Sequence, residues 1–200
     1  MSDELNKIKD LVNKALKLRL KALKNMKVIN TISVTKKDIL NARGRVHSTI
    51  ARSVNPNKEC FRAISLLTAV INLQHSLELI ETQGVSTFNK YVSRLRKKQT
   101  KAAKSLIKDP NFSRAIKLSK KSEKDGLEHP KLRKLTKILK KELFDDGQTK
   151  LQSERFSNNQ NNKNSKVMVF TQYRDTVEAI HAKLEKEGIK SAKFYGQASR

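Results

Sequence analysis

The stretch KECFRAISLLTAVINLQHSLELIE, from Lys58 to Glu81, decides the fold. Phe61, Ile64, Leu66, Leu67, Val70, Ile71, Leu73, Leu77, Leu79 and Ile80 recur at helical spacing and cover much of the helix circumference. A helix apolar on so many sides has little face left for water and must be central to a bundle. Asn55, Pro56 and Asn57 interrupt the pattern before it. Gln83 and Gly84 end it, since glycine takes up the left-handed conformation of a helix C-terminus at low cost.

On the N-terminal side, residues 3 to about 26 carry Leu5, Ile8, Leu11, Val12, Ala15, Leu16, Leu23 and Met26, an amphipathic helical pattern with acids in its first turn. Thr35 and Asp38 have the spacing of a capping box that opens a second helix through Ile39, Leu40, Val46 and Ile50, weakened in its middle by Gly44. On the C-terminal side a helix is expected over about 86–108, from Phe88, Tyr91, Val92 and Leu95 to Ala102, Ala103, Leu106 and Ile107. Asp109 and Pro110 stop it and start a shorter helix with Phe112, Ile116 and Leu118, because proline is accommodated in a first helical turn. After a polar break, Pro130 begins a last helix whose stripe is Leu132, Leu135, Ile138, Leu139 and Leu143.

Residues 145–165 change character and run into NNQNNKNS, too poor in apolar surface to offset the entropy of ordering. A flexible linker is expected there, between an all-helical module over 1–144 and a different fragment over 166–200. In that fragment Val167, Met168, Val169 and Phe170 read as a buried strand. Val177, Ile180, His181 and Leu184 then follow at helical spacing, with Gly188 at the expected helix end and a second strand beyond. This is the opening of a βαβ unit, and one unit cannot cover both faces of a parallel sheet, so the start of a larger α/β domain is expected. The fold class is thus mainly α: an antiparallel bundle of about five to six helices, followed by an incomplete βαβ fragment.

The chain has 44 Lys and Arg against 19 Asp and Glu among 200 residues, a formal charge of +25. Such a field attracts polyanions, nucleic acid first, with an anionic membrane surface or an acidic protein as alternatives. No stretch of the sequence reads as a membrane span, and Ser2, Asp3 and Glu4 stand where a signal peptide would have basic residues. An intracellular protein without a membrane partner is expected, cytoplasmic or nucleoid-bound in a prokaryote and nuclear in a eukaryote. The single Cys60 excludes an internal disulfide and reads as an inert core residue beside Phe61 and Ile64. His47, His75, His129 and His181 lack the paired spacing of a helical metal site, so no metal ligands are expected.

The charge is concentrated between Lys90 and Lys121, where twelve basic residues meet one acid, Asp109, for a local balance of +11. On a continuous helix Lys90, Arg94, Lys97, Lys98, Lys101, Lys104 and Lys108 would supply a stripe able to track a phosphate backbone. A purely solvated face usually intersperses both signs, because like charges at i, i+4 repel. With few aromatic residues outside core-like positions, stacking on bases is a weak expectation. The 200 residues contain no GxxxxGK[ST], GxGxxG or GxSxG motif, and no self-sufficient active site is expected.

VFTQYRDT, from Val169 to Thr176, followed by GQAS, from Gly196 to Ser199, resembles the opening of the second RecA-like domain in superfamily 2 helicases of the archaeal Hef and Fanconi anaemia group M type. LELIETQG from Leu77 to Gly84, KAAKSL from Lys101 to Leu106 and EHPKL from Glu128 to Leu132 are similar to the helical insert between the two RecA-like domains of that family. The resemblance implies an ATP-dependent DNA translocase for forked or branched DNA, with a DNA-gripping insert, the remaining helicase domains as partners, and a fused nuclease in some members. It also implies that Thr171, Gln172, Tyr173, Arg174, Gly196 and Gln197 lie in segments that approach the nucleic acid; the residues themselves allow a purely structural reading of Tyr173 and Arg174 beside it, a strand-to-helix turn in which Asp175 or Thr176 caps the helix. ATP and Mg²⁺ are implied for the parent protein, whereas the phosphate loop, the acidic Mg²⁺ motif and the later arginine-bearing motif are absent from this sequence, so the chain alone is expected to be inactive as an enzyme. An interdomain docking module and an RNA-directed helicase insert are the alternatives.

Overall fold

The computed structural model describes residues 3–144 and 166–196. The chain divides into two compact units, Met1–Leu127 and Glu128–Arg200. The first holds α1 (Asp3–Asn25), α2 (Lys36–Arg52), α3 (Lys58–Thr82), α4 (Val85–Lys97), α5 (Lys101–Ile107) and α6 (Pro110–Lys124). The second holds α7 (Pro130–Phe144) and α8 (Arg174–Lys186). The sequence places the end of the helical module after residue 144; in the structure α7 is grouped with α8.

α3 is the axis of the first unit, packed by α1, α2, α4 and α5, while α6 closes against α1 and α4. Its all-round apolar character follows from those four neighbours, with Leu67, Val70, Leu73, Leu79 and Ile80 buried among them. By length and composition alone α3 could also cross a membrane, a feature that a search for uncharged runs misses. Packing explains it, because a central bundle helix needs the same side chains as a span. α1 buries Leu5, Ile8, Val12, Ala15 and Leu23 at helical spacing, and Arg19 continues the same stripe. Within the first two turns of α3 only Ala63 is buried. Cys60 is only half-buried and Phe61 is exposed, so the expected core role of Cys60 is not observed.

Local chemistry sets the helix ends. Thr35 and Asp38 form the expected reciprocal capping box. Gly84, at φ 89°, lets α3 turn at once into α4, its amide donating to Leu79 O. After α1 the left-handed position falls on Lys27, at φ 56°, with Val28 N donating to Leu23 O at 3.0 Å. Val28 then packs on the cluster that contains Leu23, a Schellman closure built without glycine.

Two expectations change. The helix expected over about 86–108 is two helices, because Lys98 is extended and Thr100, also extended, caps α5 by accepting from Ala103 N. The cations on either side of Lys98 therefore do not share one helical stripe. In the second unit Leu139 of α7, Leu184 of α8 and Ile189 form the buried cluster, with Gly188 at φ 74° ending α8 as expected. The segments on either side of α8 are not strands, and none occurs among the described residues. Met168, Phe170 and Phe194 are 75%, 87% and 86% exposed, which a strand buried on both faces would not allow. A strand is a pairing state, and without a ladder partner the backbone gains no reason to adopt it. The linker expected over 145–165 lies outside the described residues.

Candidate nucleic-acid interface

α4, α5 and α6 carry the basic segment, and each is anchored by an apolar inner face. α4 buries Phe88, Val92 and Leu95, α5 buries Ala102, Ala103 and Leu106, and α6 buries Phe112, Ala115 and Ile116. Phe88 and Phe112, fully buried, meet edge to face at 6.0 Å between centroids and join α4 to α6. A polar network adds orientation: Asn89 donates to Glu123 Oε2 at 2.6 Å and accepts from the buried Ser119 hydroxyl at 2.6 Å. Tyr91 donates to Asn72 Oδ1 of α3 at 3.1 Å and packs edge to face with His75. Burial pushes its phenol up to about 12, so it stays a neutral donor.

With the inner faces so committed, every cation of the segment points outward. Lys90, Arg94, Arg96, Lys97, Lys98, Lys101, Lys104, Lys108, Arg114, Lys117, Lys120 and Lys121 are all exposed. The single acid points inward. Asp109 Oδ2 accepts from the Arg19 guanidinium of α1 at 2.9 Å, and its Oδ1 caps α6 by accepting from Phe112 N at 3.0 Å. Both side chains of the ion pair are about nine-tenths buried. The outer surface thus keeps its full positive charge. Lys90, Arg94 and Lys97 fall on α4, Lys98 between helices, and Lys101 and Lys104 on α5 with Lys108 at its end. The cations of α6, Arg114, Lys117, Lys120 and Lys121, lie outside the expected stripe, although the unbroken +11 run that contains them was the signal for them.

The second group of expected site residues surrounds the start of α8. Thr171 Oγ1 donates to Tyr173 O at 3.1 Å, and Gln172 is exposed. The N-cap of α8 is Tyr173, two residues before Asp175 and three before Thr176, the expected caps, and it makes no side-chain cap hydrogen bond. Arg174 Nη2 donates to Gly196 O at 3.1 Å and lies 5.8 Å from the centroid of the Tyr195 ring. Tyr195 in turn donates to Glu178, which also binds Lys193 at 2.9 Å, and these hydrogen bonds hold the Glu178 carboxyl below the usual range. The structure therefore brings Thr171, Tyr173, Arg174 and Gly196 to one end of α8. Gln197 lies outside the described residues.

Among the described residues no three His, Cys, Asp or Glu side chains are grouped to hold a metal ion, and the sequence offers no glycine-rich phosphate loop.

The family described as "Putative ATP-dependent RNA helicase, helical bundle" matches residues 4–126. A protein of Methanocaldococcus jannaschii named as a putative ATP-dependent RNA helicase is 34% identical, covering 100% of this chain and 23% of the relative. The ATP-dependent DNA helicase mph1 of Neurospora crassa is 28% identical over 98% of this chain and 17% of its own length. The chain thus spans about a quarter or less of these relatives. The crystal structure of the Pyrococcus furiosus Hef helicase domain superposes with a TM-score of 0.76 at 29% identity, covering 100% of this chain and 39% of that one. The match over residues 4–126 takes in all of α1 except its first residue and the whole of α2 to α6, and on this ground the chain belongs to the helical-bundle family of these helicases.

Proposed function

We propose that this chain is the nucleic-acid-gripping insert of an ATP-dependent DNA helicase or translocase that acts on forked or branched DNA in repair or replication-fork processing. The observation that carries the reading is the outward set of twelve cations whose one acidic neighbour, Asp109, is turned into the bundle. Lysines and arginines on α4, α5 and α6 neutralise phosphates and release counterions, a term that does not depend on sequence. Lys90, Arg94, Lys97, Lys98, Lys101, Lys104 and Lys108 are the main contacts. Thr171, Gln172, Tyr173, Arg174, Gly196 and Gln197 lie in segments that approach nucleic acid across the second RecA-like domain. The Arg174–Gly196 hydrogen bond supports this, because it joins the two segments at one place.

The exposed Met168, Phe170 and Phe194 support a further element of the reading: 167–170 and 190–195 become strands when the rest of a RecA-like sheet pairs with them. ATP and Mg²⁺ then serve the parent protein through residues that these 200 do not supply, and the remaining helicase domains, in some members with a nuclease, are its partners. The work is intracellular, on the nucleoid or in a nucleus. RNA is the second reading, favoured by the names of the matching family and of the archaeal relative.

The test is fluorescence anisotropy with labelled forked, duplex and single-stranded DNA and with RNA of the same shapes, from about 50 to about 200 mM salt. Affinity should fall linearly on log–log axes, and Lys97, Lys98, Lys101 and Lys104 changed together to Glu should remove most of it. No binding at low salt, or binding untouched by those four changes, would overturn the proposal. A preference for RNA over DNA would move the substrate class.

A further inference from the structure

A shallow, open groove on the outer face of α2 is lined by Arg45, Ser48, Thr49, Arg52 and Ser53. α2 packs on α3 through Ile39 and Ala42, so the groove lies on a different helix from the basic segment of α4 to α6. Its shape follows from residue size. Arg45 and Arg52 are seven residues apart, two helical turns or about 10 Å, and fall on nearly the same angle of the helix. Between them stand only small hydroxyl side chains, so two long cations flank a low polar floor. All five residues are exposed, and among the described residues neither arginine takes part in an ion pair.

The acid of α2, Asp38, is held by Thr35 in the N-terminal capping box, and its carboxyl is drawn down by those hydrogen bonds. Gly44 precedes Arg45 in the same helix. Glycine inside a helix is destabilising relative to alanine and usually has a packing reason. Here a Cβ would meet nothing within 4 Å, so no neighbour in the bundle requires its absence.

We propose that this groove is a second phosphodiester-binding site, in which Arg45 and Arg52 each take one phosphate of a nucleic-acid strand and the hydroxyls of Ser48 and Ser53 hydrogen-bond the backbone between them. Guanidinium forks match phosphate oxygens in pairs, and hydroxyls either donate to phosphates or accept from a sugar. The inference rests on the nucleic-acid reading above and extends it. The module then holds its ligand at two separate surfaces rather than one, and neither surface reads bases.

The experiment compares the full chain with R45A/R52A and with the fourfold Lys97, Lys98, Lys101 and Lys104 to Glu variant, using a duplex DNA, a duplex RNA of the same length and poly-glutamate. Alanine is a good helix former, and an unchanged thermal melting curve checks that R45A/R52A is folded. R45A/R52A should flatten the slope of log affinity against log salt by about 1.8, two phosphates at about 0.9 each, for DNA. It should weaken RNA in parallel and leave poly-glutamate almost unchanged. An R45A/R52A slope equal to that of the unaltered chain, while the fourfold variant loses binding, would overturn the second site alone. Failure of the unaltered chain to bind either nucleic acid would overturn the underlying reading with it. Equal loss of poly-glutamate would show a generic cationic patch and likewise overturn the site.

Discussion

Replacing Asp109 with alanine removes two things at once, the partner of Arg19 and the cap on Phe112 N. A buried guanidinium left without its carboxylate is costly, and Asp109→Ala should destabilise the chain by about 3–5 kcal/mol in urea unfolding. Arg19→Met combined with Asp109→Asn should cost less, since neither side then keeps an unpaired charge and Asn still caps. Equal losses for the two variants would contradict this account of the pair. At Lys27 the sign reverses. Its φ of 56° suits glycine, and Lys27→Gly should gain about 1 kcal/mol by relieving the left-handed strain. Such single-residue features are unequally legible in a sequence. Thr35 with Asp38 and Asp109 with Pro110 declare themselves, because a cap and its helix are contiguous. Nothing near Arg19 in the sequence points to Asp109 ninety positions on.

Helices succeed or fail at their ends, and the break between α4 and α5 shows why a periodic pattern overruns them. Ala102, Ala103 and Leu106 continue the apolar rhythm of Leu95, so the pattern does not register three residues of irregular backbone. Thr100 supplies the restart, and Thr100→Ala should cost about 1 kcal/mol, seen as faster amide exchange in α5 with α4 unchanged. α7 and α8 are tied by charge as well as by Leu139 and Leu184. Lys140 and Lys183 both bind Glu187, at 2.6 and 3.0 Å, and hold its carboxyl down to about 2. A depressed acid stabilises above its unfolded pKa of about 4.3 and loses that contribution as the pH falls through about 2. NMR titration should therefore find Glu187 ionised at pH 3, and Lys140→Met with Lys183→Met should return its midpoint towards about 4.3.

For the molecule as a whole, the helical class, the central helix and the basic segment were legible, whereas the two strands expected around α8 are not observed among the described residues. Helical content is written in local spacing and in caps, whereas an apolar run such as 167–170 becomes a strand only where a partner pairs with it. The core was overcounted for a related reason: Cys60 and Phe61 have the right periodicity, yet no helix extends far enough to cover them. Met168, Phe170 and Phe194 leave large apolar side chains in water, and light scattering should find weak self-association at high protein concentration. Met168→Ser with Phe170→Ser should reduce it without changing affinity for DNA.

The division of the cations between α4, α5 and α6 has a consequence for what kind of instrument the surface is. One long basic helix would be a ruler with a constant interval between marks, suited to one groove width. Three short axes meeting at Lys98 and Asp109 give unequal intervals, so the surface weighs charge density instead of measuring pitch. If the proposed function holds, affinity should change little when paired strands are exchanged for unpaired ones in the anisotropy measurement.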